Sequence, residues 1–339
     1  MLKIEQQVSL QPFNTLALSS LAENFCRVSS ENELREALAW AHQHRLPVTL
    51  LGGGSNVVLA RDLSGLVVHM AIPGIELVSE DQDRRVVRVG AGENWHQFVL
   101  NTISRGWFGL ENLSLIPGLV GAAPIQNIGA YGIELSQRFL SLEAIHLATG
   151  EQVVMDASDC QFGYRDSIFK HASRELYAIS AITLALSSKM ELCLEYPALQ
   201  KFVERIGASE LTPKQVSDVV CAVRRSKLPD PKDTPNAGSF FKNPVISADR
   251  AGYLHQQHPD LVTYHQADGR EKLAAGWLVE QVGWKGLMRQ GVGVYQDQSI
   301  VLVNCGGTAT ALLELASDIQ TSVASKFGIS LEIEPRVYR

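Results

Sequence analysis

The chain has 339 residues and a net charge of −6, with 45% hydrophobic and 19% charged residues. This length predicts two or three domains, and this composition is typical of folded globular proteins and excludes disordered and fibrous ones. The acidic balance gives no basis for a nucleic acid or an anionic membrane surface as a partner.

The cysteines and histidines show no pattern of a disulfide or metal protein. The five cysteines are odd in number and widely spaced, and no CxxC pair occurs. This usage favours a reducing cytoplasm over a disulfide framework or a zinc site. The nine histidines are scattered, so we expect no metal site. Residues 1–10 mix charged and apolar side chains, and we expect no signal peptide there.

The first half of the chain alternates short β-branched runs with glycine turns. These runs predict strands at residues 25–28, 47–51, 57–60, 65–69 and 86–89. Ser30 and Glu33 have the spacing of a capping box, which predicts a helix from there to about His44. A second helix is predicted after Gly90-Ala91-Gly92-Glu93, through Trp95 and Phe98.

Residues 112–133 carry no charge and are long enough to cross a bilayer. They also contain several prolines and glycines, and a lipid-exposed helix cannot satisfy its backbone with so many breakers. The segment is therefore interpreted as a buried loop region of a soluble protein.

The second half predicts strands near residues 141–147 and 177–184 and then two helices. Thr212-Pro213 begins a helix that ends near Lys227, because a hydroxyl at the N-cap and proline at the first helical position are favoured there. The stiff residues 228–231 that follow mark the main domain boundary. A last helix is predicted from about Thr310 to Phe327, and residues 329–339 alternate like a strand. The fold class is α+β, since helical crossovers are too few for a doubly wound sheet.

The first candidate binding loop is Gly52-Gly53-Gly54-Ser55-Asn56, between two predicted strands. Glycines let backbone amides converge on an anion, and Ser55 and Asn56 add donors, so the loop suits a pyrophosphate. A plain tight turn remains the alternative. The loop matches neither the Walker nor the Rossmann pattern.

The second candidate loop covers residues 117–132. Its small residues permit close approach of a flat ring system, and Gln126 and Asn127 offer amide groups for heteroatoms. A structural glycine-rich loop remains the alternative. Two nucleotide-type loops in one chain favour a dinucleotide such as FAD more than either loop does alone.

Further candidate side chains each have a plain structural alternative. Arg165 in Phe162-Gly163-Tyr164-Arg165-Asp166-Ser167 suits a carboxylate, which arginine clamps with two hydrogen bonds, but it also suits a surface ion pair with Asp166. Lys227 lies at a helix end, where cations are favourable anyway. Tyr196 fits a core position, and Glu334 fits an exposed strand.

The most specific segment is Asn236-Ala237-Gly238-Ser239-Phe240-Phe241-Lys242-Asn243-Pro244. It places one hydroxyl, that of Ser239, on a glycine turn and surrounds it with two aromatic rings, a cation and an amide. A Gly-Ser turn that enters a buried aromatic strand is the alternative.

Together these segments resemble the UDP-N-acetylenolpyruvoylglucosamine reductases, flavoenzymes of peptidoglycan synthesis. The resemblance covers nearly the whole chain in order, from Pro12-Phe13-Asn14-Thr15 to the tail at residues 331–336. The Tyr196 segment resembles the subtype that closes a tyrosine-bearing loop over the substrate.

The resemblance implies a role for each matching residue. It implies Ser239 as proton donor, with Arg165 and Glu334 as the other catalytic residues. Substrate contacts are implied at Tyr164, Tyr196, Lys227, Asn243 and Gln298. Contacts to FAD are implied at Gly52, Gly53, Gly54, Ser55, Asn56, Pro117, Gly118, Gly121, Ile125, Gln126, Asn127, Gly129, Ala130 and Tyr131.

The resemblance also implies the architecture. It implies a two-lobed FAD-binding domain of the vanillyl-alcohol oxidase type at residues 1–228, with the lobe boundary near 68–72. A smaller substrate-binding domain follows at 229–328, and residues 329–339 return as a strand to the active site. Pro335 stands where the family usually has valine, which leaves open whether Glu332 or Glu334 faces the substrate. Ala122-Ala123 replaces serines of some members, so backbone amides must hold the flavin phosphates there.

The implied activity is NADPH-dependent reduction of the enolpyruvyl group of UDP-N-acetylglucosamine-enolpyruvate to the lactyl ether of UDP-N-acetylmuramate. Hydride comes from N5 of non-covalent FAD and a proton from Ser239, while Arg165 stabilises the negative charge. We expect a cytoplasmic monomer with small-molecule partners only. The alternatives are another FAD-dependent oxidase of the same fold and a non-catalytic nucleotide-sugar binder.

Overall fold

The structure is a computed structural model that describes residues 2–171, 175–194, 199–200, 211–266 and 268–339. The described chain divides into two compact units, and each unit combines segments that are distant in sequence. The first comprises Met1–Val8, Ala22–Gly53 and Leu63–Ser226, and the second comprises Ser9–Leu21, Gly54–Asp62 and Lys227–Arg339.

The elements alternate in type along the chain, as expected for an α+β protein. The strands are β1 Glu5–Ser9, β2 Leu21–Val28, β3 Val48–Leu51, β4 Val57–Leu59, β5 Leu63–Met70, β6 Ile75–Glu80, β7 Arg84–Gly90, β8 Gly129–Ala130, β9 Ile133–Glu134, β10 Phe139–His146, β11 Gln152–Asp156, β12 Tyr177–Ser187, β13 Asn236–Ser239, β14 Val245–Ile246, β15 Thr263–His265, β16 Glu271–Leu273, β17 Met288–Arg289, β18 Val292–Val294, β19 Val301–Asn304 and β20 Arg336–Tyr338. The α-helices are α1 Glu31–Gln43, α2 Trp95–Ser104, α3 Ala157–Cys160, α4 Pro213–Arg225, α5 Ala248–Gln257, α6 Ala275–Gln281 and α7 Ala309–Phe327.

The first unit contains two sheets. One has the order β1-β2-β5-β3, and its strands β2 and β3 run parallel to β5. The other has the order β11-β10-β12-β7-β6, and its neighbouring strands are antiparallel. Helix α1 packs Leu34 and Leu38 into the core of the first sheet, and α2 packs Trp95 and Phe98 into the core of the second.

The cap of α1 differs in one detail from the predicted capping box. Ser30 Oγ accepts from the Glu33 amide at 3.2 Å as expected. The Glu33 carboxylate accepts from the Ser29 amide at 2.7 Å, one residue before the N-cap. The predicted N-cap of α4 is confirmed, and it is part of a complete capping box, because the Thr212 hydroxyl and the Gln215 side chain each accept from the other residue's amide.

Residues 112–133 form the predicted loop region. The segment contains short 3₁₀ turns at Val120–Ala122 and Pro124–Gln126, and the two-residue strand β8. Much of its apolar surface is buried, since Leu113 and Val120 have no exposed area. The charge-free composition therefore reflects burial inside the first unit.

The second unit contains the four-stranded sheet β13-β19-β18-β17, the three-stranded sheet β14-β16-β15 and the parallel pair β20-β4. Helix α7 supplies a continuous apolar face, including Leu312, Ile319 and Phe327. It ends at Gly328, whose φ of 63° is the left-handed C-cap predicted from the sequence. Residues 329–335 pair only through an isolated bridge between Phe241 and Ile333, so the strand predicted for the tail is limited to β20.

Candidate active site

The two predicted binding loops of the first unit lie against each other. A Cβ atom added to Gly53 would lie 3.0 Å from the Gly118 Cα atom, and one added to Gly52 would lie 3.8 Å from the Ala122 Cβ atom. A Cβ added to Gly121 would lie 2.5 Å from that of Ala91. Glycine at positions 53 and 121 therefore lets main-chain segments approach more closely than other residues permit, whereas a methyl group at position 52 would make an ordinary contact.

This arrangement fits a flavin dinucleotide. Its anionic pyrophosphate requires backbone amides or cations, and its ring system requires a surface free of bulky side chains. The Gly52–Gly53 and Gly118–Ala122 stretches present main chain and methyl groups, as such a surface requires. The absence of hydroxyls at Ala122 and Ala123 leaves main-chain groups as the donors on this part of the loop.

The remaining residues of the first loop belong to the second unit. Gly54 has a φ of 60°, and a Cβ atom there would lie 1.9 Å from the Phe13 carbonyl oxygen. The Gly54 carbonyl accepts from the Thr15 amide at 3.1 Å, and the Asn56 carbonyl accepts from the Arg336 amide at 3.0 Å. Gly54 is therefore required by the backbone path itself, whatever binds to the loop.

The Asn127 side chain organises the second loop from inside. It is 1% exposed, and its Nδ2 donates to Glu134 Oε2 at 2.8 Å and to the Gly163 carbonyl at 3.1 Å. Its Oδ1 accepts from the Ser136 amide at 2.9 Å. Because these bonds occupy the amide, the contribution of Asn127 to ligand binding is to shape the main chain around it.

Arg165 is fixed on the same loop. Its Nη2 donates to the Gly129 carbonyl at 2.6 Å, and its guanidinium lies 5.7 Å from the Tyr164 ring centroid. Ser167 Oγ donates to the Ile125 carbonyl at 2.7 Å, which anchors the Arg165 segment to the flavin-type loop. The structure thus brings Arg165, Tyr164 and the loop at residues 125–131 together.

Sequence reasoning did not single out Arg224. Its Nε is buried and has no hydrogen-bond partner among the described residues. Burial lowers the pKa of Arg224, Tyr131 acts to raise it, and the charge of Arg165 acts to lower it further. The sequence does not indicate that the Arg224 Nε atom is buried, because Arg224 is one of two adjacent arginines on a helix.

Ser239 in the second unit ends strand β13. Gly238 has a φ of 71°, and the register between β13 and β19 shifts between Asn236 and Ser239. The buried Asn236 side chain holds this bulge, because its Oδ1 accepts from the Gly238 amide and its Nδ2 donates to the Thr234 carbonyl, both at 2.8 Å. The predicted glycine turn is therefore a bulge at a strand end, and Asn236 is a second residue whose role sequence reasoning missed.

The buried rings after Ser239 fix its position. Phe240 and Phe241 have no exposed area, and their centroids are 5.5 Å apart. The Phe240 amide donates to the Ile300 carbonyl at 2.8 Å. The segment is therefore a bulge that enters a buried aromatic strand, with a half-buried serine at its end.

The tail pairs with this segment in a single register. Phe241 is bridged to Ile333, the Glu334 amide donates to the Phe240 carbonyl at 2.9 Å, and the Lys242 amide donates to the Glu332 carbonyl at 2.9 Å. Glu332 forms an ion pair with Lys242 at 2.5 Å. Glu334 thus lies opposite the residue next to Ser239, while Glu332 is paired with a lysine.

The predicted substrate contacts have varied surroundings. Asn243 Oδ1 accepts from the Ala275 amide at the start of α6 at 2.9 Å. Gln298 Oε1 lies close to Gly276, at 3.0 Å from the position that an added Cβ atom would occupy. Lys227 is exposed. Tyr196 lies outside the described residues.

The described residues contain no group of three or more histidine, cysteine or acidic side chains that is able to hold a metal ion. None of their helices is long and apolar enough to cross a membrane.

The chain matches two protein families. Residues 22–156 match the family described as FAD binding domain, and residues 230–338 match the family described as UDP-N-acetylenolpyruvoylglucosamine reductase, C-terminal domain. These matches confirm the predicted FAD-binding domain and the predicted second domain type.

Curated relatives and a solved structure agree with these matches. The chain is 49% identical to the UDP-N-acetylenolpyruvoylglucosamine reductase of Pseudomonas fluorescens and 46% identical to that of Chromobacterium violaceum, over 99% of each chain in both cases. The crystal structure of UDP-N-acetylenolpyruvylglucosamine reductase from Thermus caldophilus covers 100% of both chains with a TM-score of 0.71 and 23% identity, which bears on the fold alone. The full-length identity shows that the chain belongs to the UDP-N-acetylenolpyruvoylglucosamine reductase family.

Proposed function

We propose that the chain reduces the enolpyruvyl group of UDP-N-acetylglucosamine-enolpyruvate to the lactyl ether of UDP-N-acetylmuramate, with NADPH as the electron donor. The observation that carries this proposal is the 49% identity over 99% of both chains to a reductase of that name. The product is a precursor of peptidoglycan, and the reaction makes the protein an FAD-dependent oxidoreductase.

The FAD binds without a covalent link through main-chain groups of the first unit. Gly53, Gly118 and Gly121 allow close approach of the main chain, and Gly52 and residues 125–131 complete the surface. FAD held there would supply the redox chemistry, carrying a hydride from NADPH to the CH₂ carbon of the enol ether. The chain supports this by holding the ring rigidly on packed glycine loops.

Ser239 supplies the proton. Addition of hydride to the CH₂ carbon leaves negative charge on the adjacent carbon and its carboxylate. Such a carbon is strongly basic, so an alcohol serves as the acid when it is well placed. The bulge at Gly238 and the buried rings of Phe240 and Phe241 supply that placement for the Ser239 Oγ.

Arg165 and Arg224 stabilise the developing charge. A guanidinium binds a carboxylate through two parallel hydrogen bonds, and preorganised cations reduce the cost of charge that appears in the transition state. Glu334 holds or protonates the enol form, and its pairing opposite Phe240 supports this role. Tyr164, Tyr196, Lys227, Asn243 and Gln298 bind the nucleotide-sugar.

The same chemistry supports proposals for the partners and the cellular location of the enzyme. NADPH and the sugar nucleotide bind in turn, and both are small molecules. The cysteines of the described chain are free thiols, which suits a reducing cytoplasm. We propose a cytoplasmic monomer, with residues 1–228 as the FAD-binding domain, 229–328 as the substrate-binding domain and 329–339 as the returning strand.

Visible spectroscopy of the purified protein tests this function. We expect flavin absorbance that NADPH bleaches under anaerobic conditions and that the enolpyruvyl sugar nucleotide restores. Protein without flavin would contradict the proposal. Reduced enzyme that oxygen reoxidises and the sugar nucleotide does not would indicate an oxidase.

Ser239→Ala tests the proton donor within the same experiment. We expect normal flavin reduction by NADPH and reoxidation by the sugar nucleotide slowed by about 10²–10⁴-fold, because general acid catalysis is worth that much. Ser317→Ala is the matched control, since Ser317 is exposed on α7. Normal reoxidation in Ser239→Ala would rule out the role of this hydroxyl.

A further inference from the structure

Leu115, which precedes the second candidate loop at residues 117–132, has a strained main-chain conformation. Its φ is 59°, in the left-handed region that residues other than glycine rarely adopt. Pro117 and Gly118, two of the proposed flavin contacts, follow two and three residues later. A residue in this conformation persists only when its surroundings hold it there.

The start of α2 supplies much of that support. Trp95 Nε1 donates to the Leu113 carbonyl at 2.9 Å, and the Trp95 amide donates to the Gly118 carbonyl at 3.1 Å. Between these two bonds, the Leu115 amide donates to His96 Nδ1 at 3.0 Å. Ser114 Oγ bonds to Ser217 Oγ on α4 at 2.8 Å. Of these side chains, only His96 titrates near neutral pH.

The bond from Leu115 fixes the tautomer of His96. A backbone N–H only donates, so Nδ1 must be the unprotonated nitrogen and the proton must lie on Nε2. Nε2 lies 4.0 Å from the Cys221 Sγ on α4. A doubly protonated ring has no acceptor to offer, so protonation breaks the bond to Leu115.

The charges around His96 favour its neutral form. Burial lowers its pKa, and Arg225 and Arg224 on α4 lower it further. Cys221, also on α4, has a pKa raised by burial and stays a neutral thiol. Residues 113–118 contain no titratable side chain. At neutral pH His96 is therefore a hydrogen-bond acceptor for the loop.

We propose that neutral His96 is a positioning residue for FAD: it holds Leu115 in its left-handed conformation, and its protonation loosens the Pro117–Gly118 flavin contact. His96 acts through the main chain and touches no reacting atom. The inference rests on FAD binding to this loop. It predicts that flavin affinity falls at acid pH through one identified group.

Release of FAD from the holoenzyme tests this proposal, measured by flavin fluorescence in ultrafiltrates between pH 8 and pH 5. We expect the wild-type dissociation constant to rise as pH falls from the ordinary histidine pKa of about 6.5 through the lowered pKa of His96. His96→Asn places an amide oxygen near the position of Nδ1, so its dissociation constant should stay within about threefold of the pH 8 value over this range. His96→Leu should bind FAD about tenfold more weakly at every pH, because the buried amide loses its acceptor.

His42→Asn is the matched control, since His42 is an exposed histidine on α1, and its pH profile should equal that of the wild type. Circular dichroism and thermal melting of each variant show whether it folds. A His96→Asn profile as steep as the wild-type profile would overturn the proposal, even if His96→Leu does not fold. Wild-type protein that holds no flavin at pH 8 would instead contradict the FAD-dependent function itself.

Discussion

At the scale of single residues, Arg165 combines strain with fixed geometry. Its φ of 52° lies in the left-handed region, while its guanidinium is held at 2.6 Å from the Gly129 carbonyl. Strained conformations cost about 1–3 kcal/mol and concentrate at functional sites. The loop thus holds the Arg165 guanidinium against the Gly129 carbonyl at a cost in conformational free energy.

Arg165→Lys should slow the chemical step more than it weakens nucleotide binding. Lysine keeps the charge but loses the planar fork that binds a carboxylate through two bonds, so we expect flavin reoxidation to slow by about 10–100-fold. Stopped-flow reoxidation and substrate titration of the oxidised enzyme measure the two effects. Arg105→Lys is the control, because Arg105 is also an arginine over an aromatic ring, at 4.9 Å from the Trp107 centroid, but is exposed. Unchanged turnover in Arg165→Lys would contradict this role.

At the scale of elements, the pairing between residues 240–242 and the tail sets which glutamate is opposite the serine segment. A shift by one residue reverses the face of every side chain in a pair of strands. The Lys242–Glu332 ion pair favours one register, with Lys242 16% and Glu332 68% exposed in their side chains. We infer that this pair keeps Glu334 at the site.

Glu332→Lys should therefore impair catalysis more than stability. Placing two cations opposite each other disfavours the native register, so we expect reoxidation to slow at least threefold. A pair exposed on one side contributes at most about 1 kcal/mol to stability. The double variant Lys242→Glu/Glu332→Lys restores opposite charges and should recover most of the rate. Asp318→Lys, which breaks the exposed Arg289–Asp318 pair, is the control, and an equal rate loss in that variant would contradict the register argument.

At the scale of the whole molecule, local patterns predicted the elements well. The helix limits at Ser30 and Gly328 follow from caps, whose chemistry lies within a few residues of sequence. The packing of Gly53 on Gly118 and the ion pair of Lys242 with Glu332 depend on long-range contacts, which a single sequence does not display. The same holds for the burial of Arg224 and for the bulge held by Asn236.

The bounds of the two compact units are also not displayed by a single sequence. The short segments Ser9–Leu21 and Gly54–Asp62 belong to the second unit, although they precede most of the first unit in sequence. Strand β4 joins β20 by parallel pairing, and the Asn236 amide donates to the Thr15 carbonyl at 2.9 Å. Composition does not show that the chain passes from one unit to the other more than once. The linker at residues 228–231 marks only one of these passages.

His69 and His96, which have lowered pKa values, should make the stability of the protein rise with pH up to about 6.5, against the buried Glu111, whose raised pKa acts in the opposite direction. Burial is the main cause for both His69 and His96. The unfolded chain binds more protons than the folded chain between the lowered pKa values and about 6.5, so the free energy of unfolding increases with pH there, by at most about 1.4 kcal/mol per pH unit for each group. This stabilisation is fully present above about pH 6.5 and is lost as pH falls through the lowered values. Urea unfolding of the wild type and of His69→Gln/His96→Asn at half-unit steps from pH 5 to pH 7.5 measures the slope, which should be shallower in the double variant. Equal slopes in the two proteins would show that other groups cause the pH dependence.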